Sequence, residues 1–212
     1  MDIGCGHGLG RNVELQWEIK QAAGELWGIE PDTSVHPTQG LFDNFQHALM
    51  ESADLPSNLI DVVYSSMVME YVSDPDSFLN AVKACLKPGG VYLFVTPNAQ
   101  SFVPRMTKIA HDLGIDEIVP SMIRGKQQIE QYHYPVEFKC NTVARMNRIA
   151  DRLGFDSPEF AFIEGRGSRI YFPGPLRLLY HGLTVKRRLI KNPQSLITLI
   201  CRLVKPAENR GE

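Results

Sequence analysis

Three glycines at alternate positions form the densest chemical signal in the sequence. Gly4, Gly6 and Gly8 follow Asp2 near the start of the chain, where a short strand is expected to meet a helix. Glycines let a backbone turn tightly and approach a ligand closely, and the amides at a helix N-terminus are free to donate hydrogen bonds. The G-x-G-x-x-G spacing of nicotinamide-binding turns fails in both registers, because leucine or arginine occupies the third glycine position.

Glu30 is the second candidate, because it ends the next apolar stretch, 26–29. A carboxylate at that place can accept hydrogen bonds from both hydroxyls of a ribose, as in nucleoside-binding α/β folds. Taken alone, a solvated acid at a strand end would be the simpler interpretation. Together with the glycine turn, Glu30 favours ribose binding.

The first 100 residues predict strands and helices in alternation, which is typical of a parallel sheet covered by helices on both faces. We expect a helix over 11–23 with Leu9, Val13 and Trp17 on one face, and strands over 26–29 and 60–64. Asp74 is expected to cap a second helix with Pro75 at its first position. Its predicted buried residues are Phe78, Leu79, Val82 and Leu86, and the apolar run 91–95 predicts a strand buried on both sides.

The rest of the chain is expected to belong to the same single domain, 1–212. Segment 99–135 has no sustained period and is where an insertion or lid over an acceptor site would lie. A helix is predicted from Asn141 or Thr142 to Gly154. Strands are expected over 160–163 and 196–204, and segment 166–212 is expected to form a basic C-terminal helix and the last strand.

Composition and charge limit the classes of protein that this chain can be. A chain of 212 residues with 43% hydrophobic and 22% charged residues has the balance of a folded domain, and no apolar run approaches a bilayer span. Four scattered cysteines indicate neither a metal site nor disulfides, so we expect a cytoplasmic location. Residues 166–212 carry ten Lys and Arg against two Glu, which favours peripheral contact with an anionic partner or membrane, a solvated basic face being the alternative.

Four blocks, in order, make the sequence resemble the class I S-adenosylmethionine-dependent methyltransferases, within their small-molecule group. The blocks are the glycine turn 2–8, the strand end 28–32, the segment 51–56, and 60–72 followed by 86–90. The resemblance implies a Rossmann-like, doubly wound, mostly parallel sheet with an antiparallel last strand, and S-adenosylmethionine as cofactor. It also implies that the first strand is mostly missing, so that the sequence is expected to be N-terminally truncated.

The resemblance assigns cofactor roles residue by residue. Gly4, Gly6, Gly8 and the backbone around them would meet the methionine end of the cofactor, and Asp2 would orient the turn or the cofactor amino group. Glu30 would hold the ribose. The adenine edge would be bound by Glu51 and the Ser52 amide, with Asp54 competing for that role or serving as a turn former, and Ser65 would contact the methionine portion.

Candidate catalytic bases lie on the acceptor side. Removal of a hydroxyl proton needs a base, and the candidates are Glu70, Tyr71 and His133. Packing of a lid by the aromatic residues around His133 is the alternative interpretation. The expected reaction is methyl transfer to a small-molecule, lipid or glycan-precursor acceptor. A nucleic-acid or protein methyltransferase and a non-catalytic descendant are the competing hypotheses, the former disfavoured because neither an Asn-Pro-Pro-Tyr-like motif nor an RNA-binding module is found.

Overall fold

The structure is a computed structural model that describes residues 1–6, 8, 9, 12–101, 135–164, 182, 185 and 193–207. His133, nearly all of the predicted lid 99–135 and most of the basic segment 166–212 lie outside the described residues. Within the described part, no helix is long and apolar enough to cross a membrane. The four cysteines are buried and carry no disulfide.

Seven strands form a single mixed sheet in the order β3-β2-β1-β4-β5-β7-β6. Strands β1 to β5 pair in parallel, whereas β7 runs antiparallel to both β5 and β6. The predicted fold class, a mostly parallel sheet with an antiparallel last strand, is therefore confirmed. The strands are β1 Asp2–Ile3, β2 Trp27–Ile29, β3 Asn44–Gln46, β4 Ile60–Ser66, β5 Leu86–Pro97, β6 Glu159–Ile163 and β7 Thr198–Val204.

Three α-helices whose bounds lie within the described residues are divided between the two faces of the sheet: α1 Val13–Ala22, α2 Pro75–Cys85 and α3 Val143–Leu153. Gln16 of α1 donates a hydrogen bond to Tyr64 on one face of β4. The ring of Phe78 in α2 lies beside Tyr92 on the other face of the sheet. Helix α2 begins as predicted, with Asp74 accepting hydrogen bonds from two first-turn amides and Pro75 at the first position.

The predicted alternation of strand and helix is wrong between β2 and β4. Residues 30–43 form turns, and the connection from β3 to β4 contains only a 3-10 turn, Met50–Ser52. Pro31 and Pro37 have no amide hydrogen to donate, and Gly40 adopts a positive φ of 78°. A short segment interrupted in this way favours turns over a helix.

The expectation that segment 91–95 is buried on both sides is also wrong. Tyr92 and Phe94 are fully buried, but Leu93 between them is 41% exposed, and Val62 on the same face of β4 is 51% exposed. The fully buried side chains face α2, whereas Leu93 and Val62 point to the face of α1. Helical cover on that second face does not reach them.

The first strand is the shortest, although it lies near the middle of the sheet. It pairs with β2 and β4 through Asp2 and Ile3 alone. The Met1 amine donates to Val62 O at 2.7 Å, and Tyr64 N donates to Met1 O at 2.9 Å. Desolvation by burial lowers the pKa of this amine. The expectation of an N-terminal truncation stays a prediction.

Candidate functional site

The glycine turn leaves β1 and is held by the end of β2. Gly4 N and Cys5 N both donate to Ile29 O, at 2.8 and 3.2 Å. Gly4 has a positive φ of 65°, and a Cβ added there would lie 2.5 Å from Val68 Cγ2. Glycine is therefore required at this position for both backbone conformation and space.

Glu30 closes β2 and directs its carboxylate at the glycine turn. Its Oε2 accepts a hydrogen bond from Gly6 N at 2.9 Å, and its Oε1 accepts one from Asp32 N at 3.1 Å. The side chain is buried. A carboxylate has about four acceptor positions, so two bonds leave room for further donors. The structure thus brings the two features of the predicted ribose site together.

Asp2 lies beneath the same turn as a buried carboxylate. It is 1% exposed, and its Oδ2 has no hydrogen-bond partner. Desolvation by burial raises the pKa of Asp2 to about 7, while the Met1 ammonium and the side chains of Gln16 and Tyr64 oppose that rise. The carboxyl group is therefore poised between its neutral and charged forms near neutral pH.

Gln16 is a buried residue of the site that the sequence pattern missed. Its Oε1 accepts from Leu9 N and its Nε2 donates to Tyr64 OH, both at 2.9 Å. The predicted face of α1 does not hold, since Val13 is 37% exposed while Gln16 is fully buried. Hydrophobic periodicity cannot predict the burial of Gln16. Its hydrogen-bond partner, the hydroxyl of Tyr64, is distant in the sequence.

The predicted adenine segment forms the 3-10 turn after β3. Glu51 is exposed there, whereas Ser52 N donates to Leu49 O at 3.0 Å within the turn. Contact between this amide and adenine would require the Leu49 hydrogen bond to be exchanged. The Gln46 side chain pairs with both backbone groups of Asp54, at 2.7 and 3.0 Å, so Asp54 serves at least as a turn residue. The adenine roles stay predictions.

The Ser65 side chain lies in the core. Its hydroxyl is 2.8 Å from Tyr92 OH, and the residue is buried. Alternation along β4 turns Ser65 toward the core beneath α2, while Tyr64 points to the glycine turn side. A contact between Ser65 and the methionine portion of the cofactor stays a prediction.

The acceptor-side candidate Glu70 belongs to a buried polar network. Thr96 Oγ1 donates to Glu70 Oε2 at 2.9 Å and accepts from Asn141 Nδ2 at 2.6 Å. The Glu70 carbonyl accepts from the amides of Glu137 and Phe138. This network joins the carboxyl end of β5 to the start of α3. Tyr71 follows and is half-buried, and the catalytic roles of Glu70, Tyr71 and His133 stay predictions.

A family model described as a methyltransferase domain matches residues 1–156. The chain belongs to the class I S-adenosylmethionine-dependent methyltransferases. This assignment confirms the predicted family. Among the described residues, no group of three or more His, Cys, Asp or Glu is arranged to hold a metal ion.

Curated relatives of this methyltransferase include ubiquinone biosynthesis O-methyltransferases. The one from Ruegeria pomeroyi is 30% identical over 163 residues, which cover 73% of this chain and 62% of the relative. That from Brucella ovis is 29% identical over 157 residues, covering 73% and 61%. The chain thus spans less than two thirds of the length of these relatives.

Solved structures agree with the methyltransferase fold. A methyltransferase of Archaeoglobus fulgidus described as S-adenosylmethionine-dependent has a TM-score of 0.56 at 20% identity, covering 96% of this chain and 84% of that one. A putative methyltransferase of Haloferax volcanii, solved with the activator Trm112, has a TM-score of 0.63 at 14% identity, covering 99% and 82%. At these identities the likeness concerns the fold alone.

Proposed function

We propose that this protein transfers a methyl group from S-adenosylmethionine to a hydroxyl oxygen of a small organic molecule. The observation that supports the proposal most is the hydrogen bond from Gly6 N to the Glu30 carboxylate, because an acid beside a glycine turn suits the ribose of this cofactor. The relatives at about 30% identity are named as O-methyltransferases of ubiquinone biosynthesis, which supports a small hydroxyl-bearing acceptor.

The residues at the turn fit this cofactor. A Cβ added at Gly6 would meet only Glu30 Oε2 at 3.8 Å and Gly4 O at 3.9 Å, so the turn leaves space on that side. Asp2 Oδ2 lacks a hydrogen-bond partner. Glu30 would accept bonds from the ribose hydroxyls, Glu51 would face the adenine, and Asp2 would orient the turn or an amino group. When bound, S-adenosylmethionine supplies a methyl carbon that its sulfonium makes electrophilic.

Glu70 is the residue proposed to take the acceptor proton. An oxygen nucleophile is more reactive once a nearby carboxylate accepts its proton. Thr96 fixes one carboxylate oxygen through a 2.9 Å hydrogen bond, and Asn141 fixes Thr96 in turn. This arrangement would hold the Glu70 carboxylate in one orientation toward an acceptor. Tyr71 and His133 are the alternative bases, and segment 99–135 is proposed to exclude water as a lid.

A transfer assay with methyl-labelled S-adenosylmethionine tests the acceptor class. The panel pairs a phenol, a long-chain phenolic lipid and a sugar alcohol with a primary amine, an unstructured RNA and a denatured protein. We expect label on a hydroxyl compound, and none on the same compound when its oxygen is already methylated. Label on the amine, RNA or protein alone would overturn the proposed acceptor. Calorimetric binding of S-adenosylhomocysteine without turnover of any acceptor would favour the non-catalytic alternative.

A further inference from the structure

A basic groove lies along α3, outside the cofactor and acceptor residues. It is an open depression of about 250 Å³, lined by Lys139, Arg145, Arg148, Ile149 and Arg152. Ile149 is buried, whereas the four basic residues are exposed. The groove therefore offers cationic groups around a small apolar floor.

Helical geometry puts the three arginines on one face. At about 100° per residue, Arg145, Arg148 and Arg152 fall within an arc of about 60° and span about 10 Å along the axis. Lys139 reaches the same groove from the segment before α3. The cationic groups thus form a stripe beside the buried face of the helix.

Hydrogen bonds hold several of these cations in place. Arg145 Nη1 donates to Phe138 O, and Lys139 Nζ donates to Ser73 O, each at 2.7 Å. Arg152 binds both carboxylate oxygens of Asp76. A side chain that is already oriented loses less conformational entropy when a ligand binds.

The charge balance of the groove is positive. Asp76 pairs with Arg152, and Glu137 lies 3.5 Å from Lys139, but no carboxylate of the described residues is within 4 Å of Arg145 or Arg148. Asp74 also interacts electrostatically with Lys139, so three acids lie beside Lys139 and Arg152. Arg145 and Arg148 are the two cations of the groove without an ion pair to a described residue. Two of the guanidinium groups therefore have hydrogen-bond donors left for an anion.

This concentration is unusual for the body of the chain. Residues 1–165 contain 12 Lys and Arg against 22 Asp and Glu, yet four of those 12 cations line this one groove. Acids neutralise two of these four cations, and Arg145 and Arg148 remain without an ion pair among the described residues. These two guanidinium groups beside a concave floor favour a bound anion.

We propose that the groove binds a phosphate group, carried either by a free phosphorylated small molecule or by a lipid headgroup. A phosphomonoester carries about −1.5 to −2 charges at pH 7, which Arg145 and Arg148, the two cations without an ion pair among the described residues, would offset. Guanidinium groups bind phosphate oxygens in pairs, and several forks around one concave space suit a tetrahedral anion better than a single carboxylate.

Inorganic phosphate, pyrophosphate and vesicles are the probes for this proposal. Binding of each anion is measured by calorimetry, with acetate at equal ionic strength as the carboxylate comparison. Vesicles of phosphatidylcholine with and without 30% phosphatidylglycerol are measured by flotation. We expect R145Q/R148Q to bind at least tenfold more weakly than wild type, whether the free anion or the anionic vesicle is the ligand.

The matched control K20Q/K87Q removes two cations that pair with Asp43 and Asp61 away from the groove. It should bind as wild type, and both variants should keep the wild-type thermal unfolding midpoint and S-adenosylhomocysteine affinity. Binding of free anions identifies a soluble ligand, and binding of anionic vesicles alone identifies a headgroup. The proposal fails if wild type binds neither, if acetate competes equally, if both variants lose binding alike, or if only a nucleic-acid duplex binds.

Discussion

The two halves of the candidate site are built in different ways. The proposed cofactor half consists of the glycine turn and the ends of β1 and β2, where the amides of Gly4, Cys5 and Gly6 donate to Ile29 O and Glu30. The proposed acceptor half consists of Glu70, Thr96 and Asn141, which are joined side chain to side chain. A turn that presents backbone amides requires glycine at particular positions, whereas a side-chain network can be built from many combinations of polar residues.

The largest expected effect in the proposed cofactor half is that of Asp2 on the free energy of unfolding. A folded pKa near 7 against an unfolded value of 3.8 means that the native state binds the proton more tightly. The stabilisation from protonated Asp2 is fully present below about pH 4 and is lost as the pH rises through 7. The difference of about three pKa units corresponds to about 4 kcal/mol.

Asp2→Asn should therefore have a higher free energy of unfolding than wild type at pH 8 and a similar one at pH 4. Urea unfolding at several pH values measures both proteins. The Met1 amine interacts with Asp2, so the difference between the curves reports the Asp2 carboxyl group together with its coupling to that amine. Parallel curves across this range would show that the carboxyl group is not perturbed by burial.

Glu30→Ala tests the proposed ribose contact. Loss of hydrogen bonds to a charged group should weaken S-adenosylhomocysteine binding by about 1.5 to 3 kcal/mol, or roughly 10- to 150-fold. Calorimetric titration measures the affinity. Glu18→Ala removes an exposed acid of α1 and should bind as wild type. Equal affinities of the two variants would remove Glu30 from the ribose role.

Thr96→Val tests whether the acceptor half is separable from the cofactor half. It removes the hydroxyl that both Glu70 and Asn141 use and should lower the free energy of unfolding by about 2 kcal/mol. Methyl transfer should fall while S-adenosylhomocysteine affinity stays within about twofold, since no contact to the glycine turn is lost. Thr96→Ser keeps the hydroxyl and should restore most activity. A comparable loss of cofactor affinity in Thr96→Val would show that the halves are coupled.

Lys87→Met should have the smallest effect. Lys87 pairs with Asp61, and both side chains are substantially exposed. Such surface pairs contribute about 0 to 1 kcal/mol. Chemical denaturation should show a change within that range, with cofactor affinity and turnover as in wild type. A larger change in cofactor affinity or in turnover would show that the candidate site depends on this ion pair at the opposite end of the sheet.

The glycine turn, Glu30 and the start of α2 could be predicted because each depends on neighbouring residues in the sequence. Gly4 needs a positive φ, Glu30 follows a strand, and Asp74 caps a helix. Gln16 and Asn141 could not be predicted in this way. Their partners, Tyr64 and Thr96, lie 48 and 45 positions away in the sequence, so only the tertiary structure reveals them.

The sequence pattern also could not predict which faces of the individual strands are buried. An apolar run over 91–95 does not tell which face receives a helix, and only the structure shows that Leu93 remains exposed. The orientation of Ser65 was not predictable for a related reason. Its position at the end of a parallel strand predicts a ligand contact, but only the structure shows that its hydroxyl lies beside Tyr92 OH in the core.

One carbonyl oxygen, that of Ile29, receives two amides of the glycine turn, and the very next residue is Glu30. The glycine turn and Glu30 are therefore both fixed at the end of β2, one by hydrogen bonds to Ile29 and the other by the peptide chain. A displacement at the end of β2 would move Glu30 and the glycine turn together. A substitution there would therefore change the proposed ribose contact and the proposed contact with the methionine end of the cofactor at the same time.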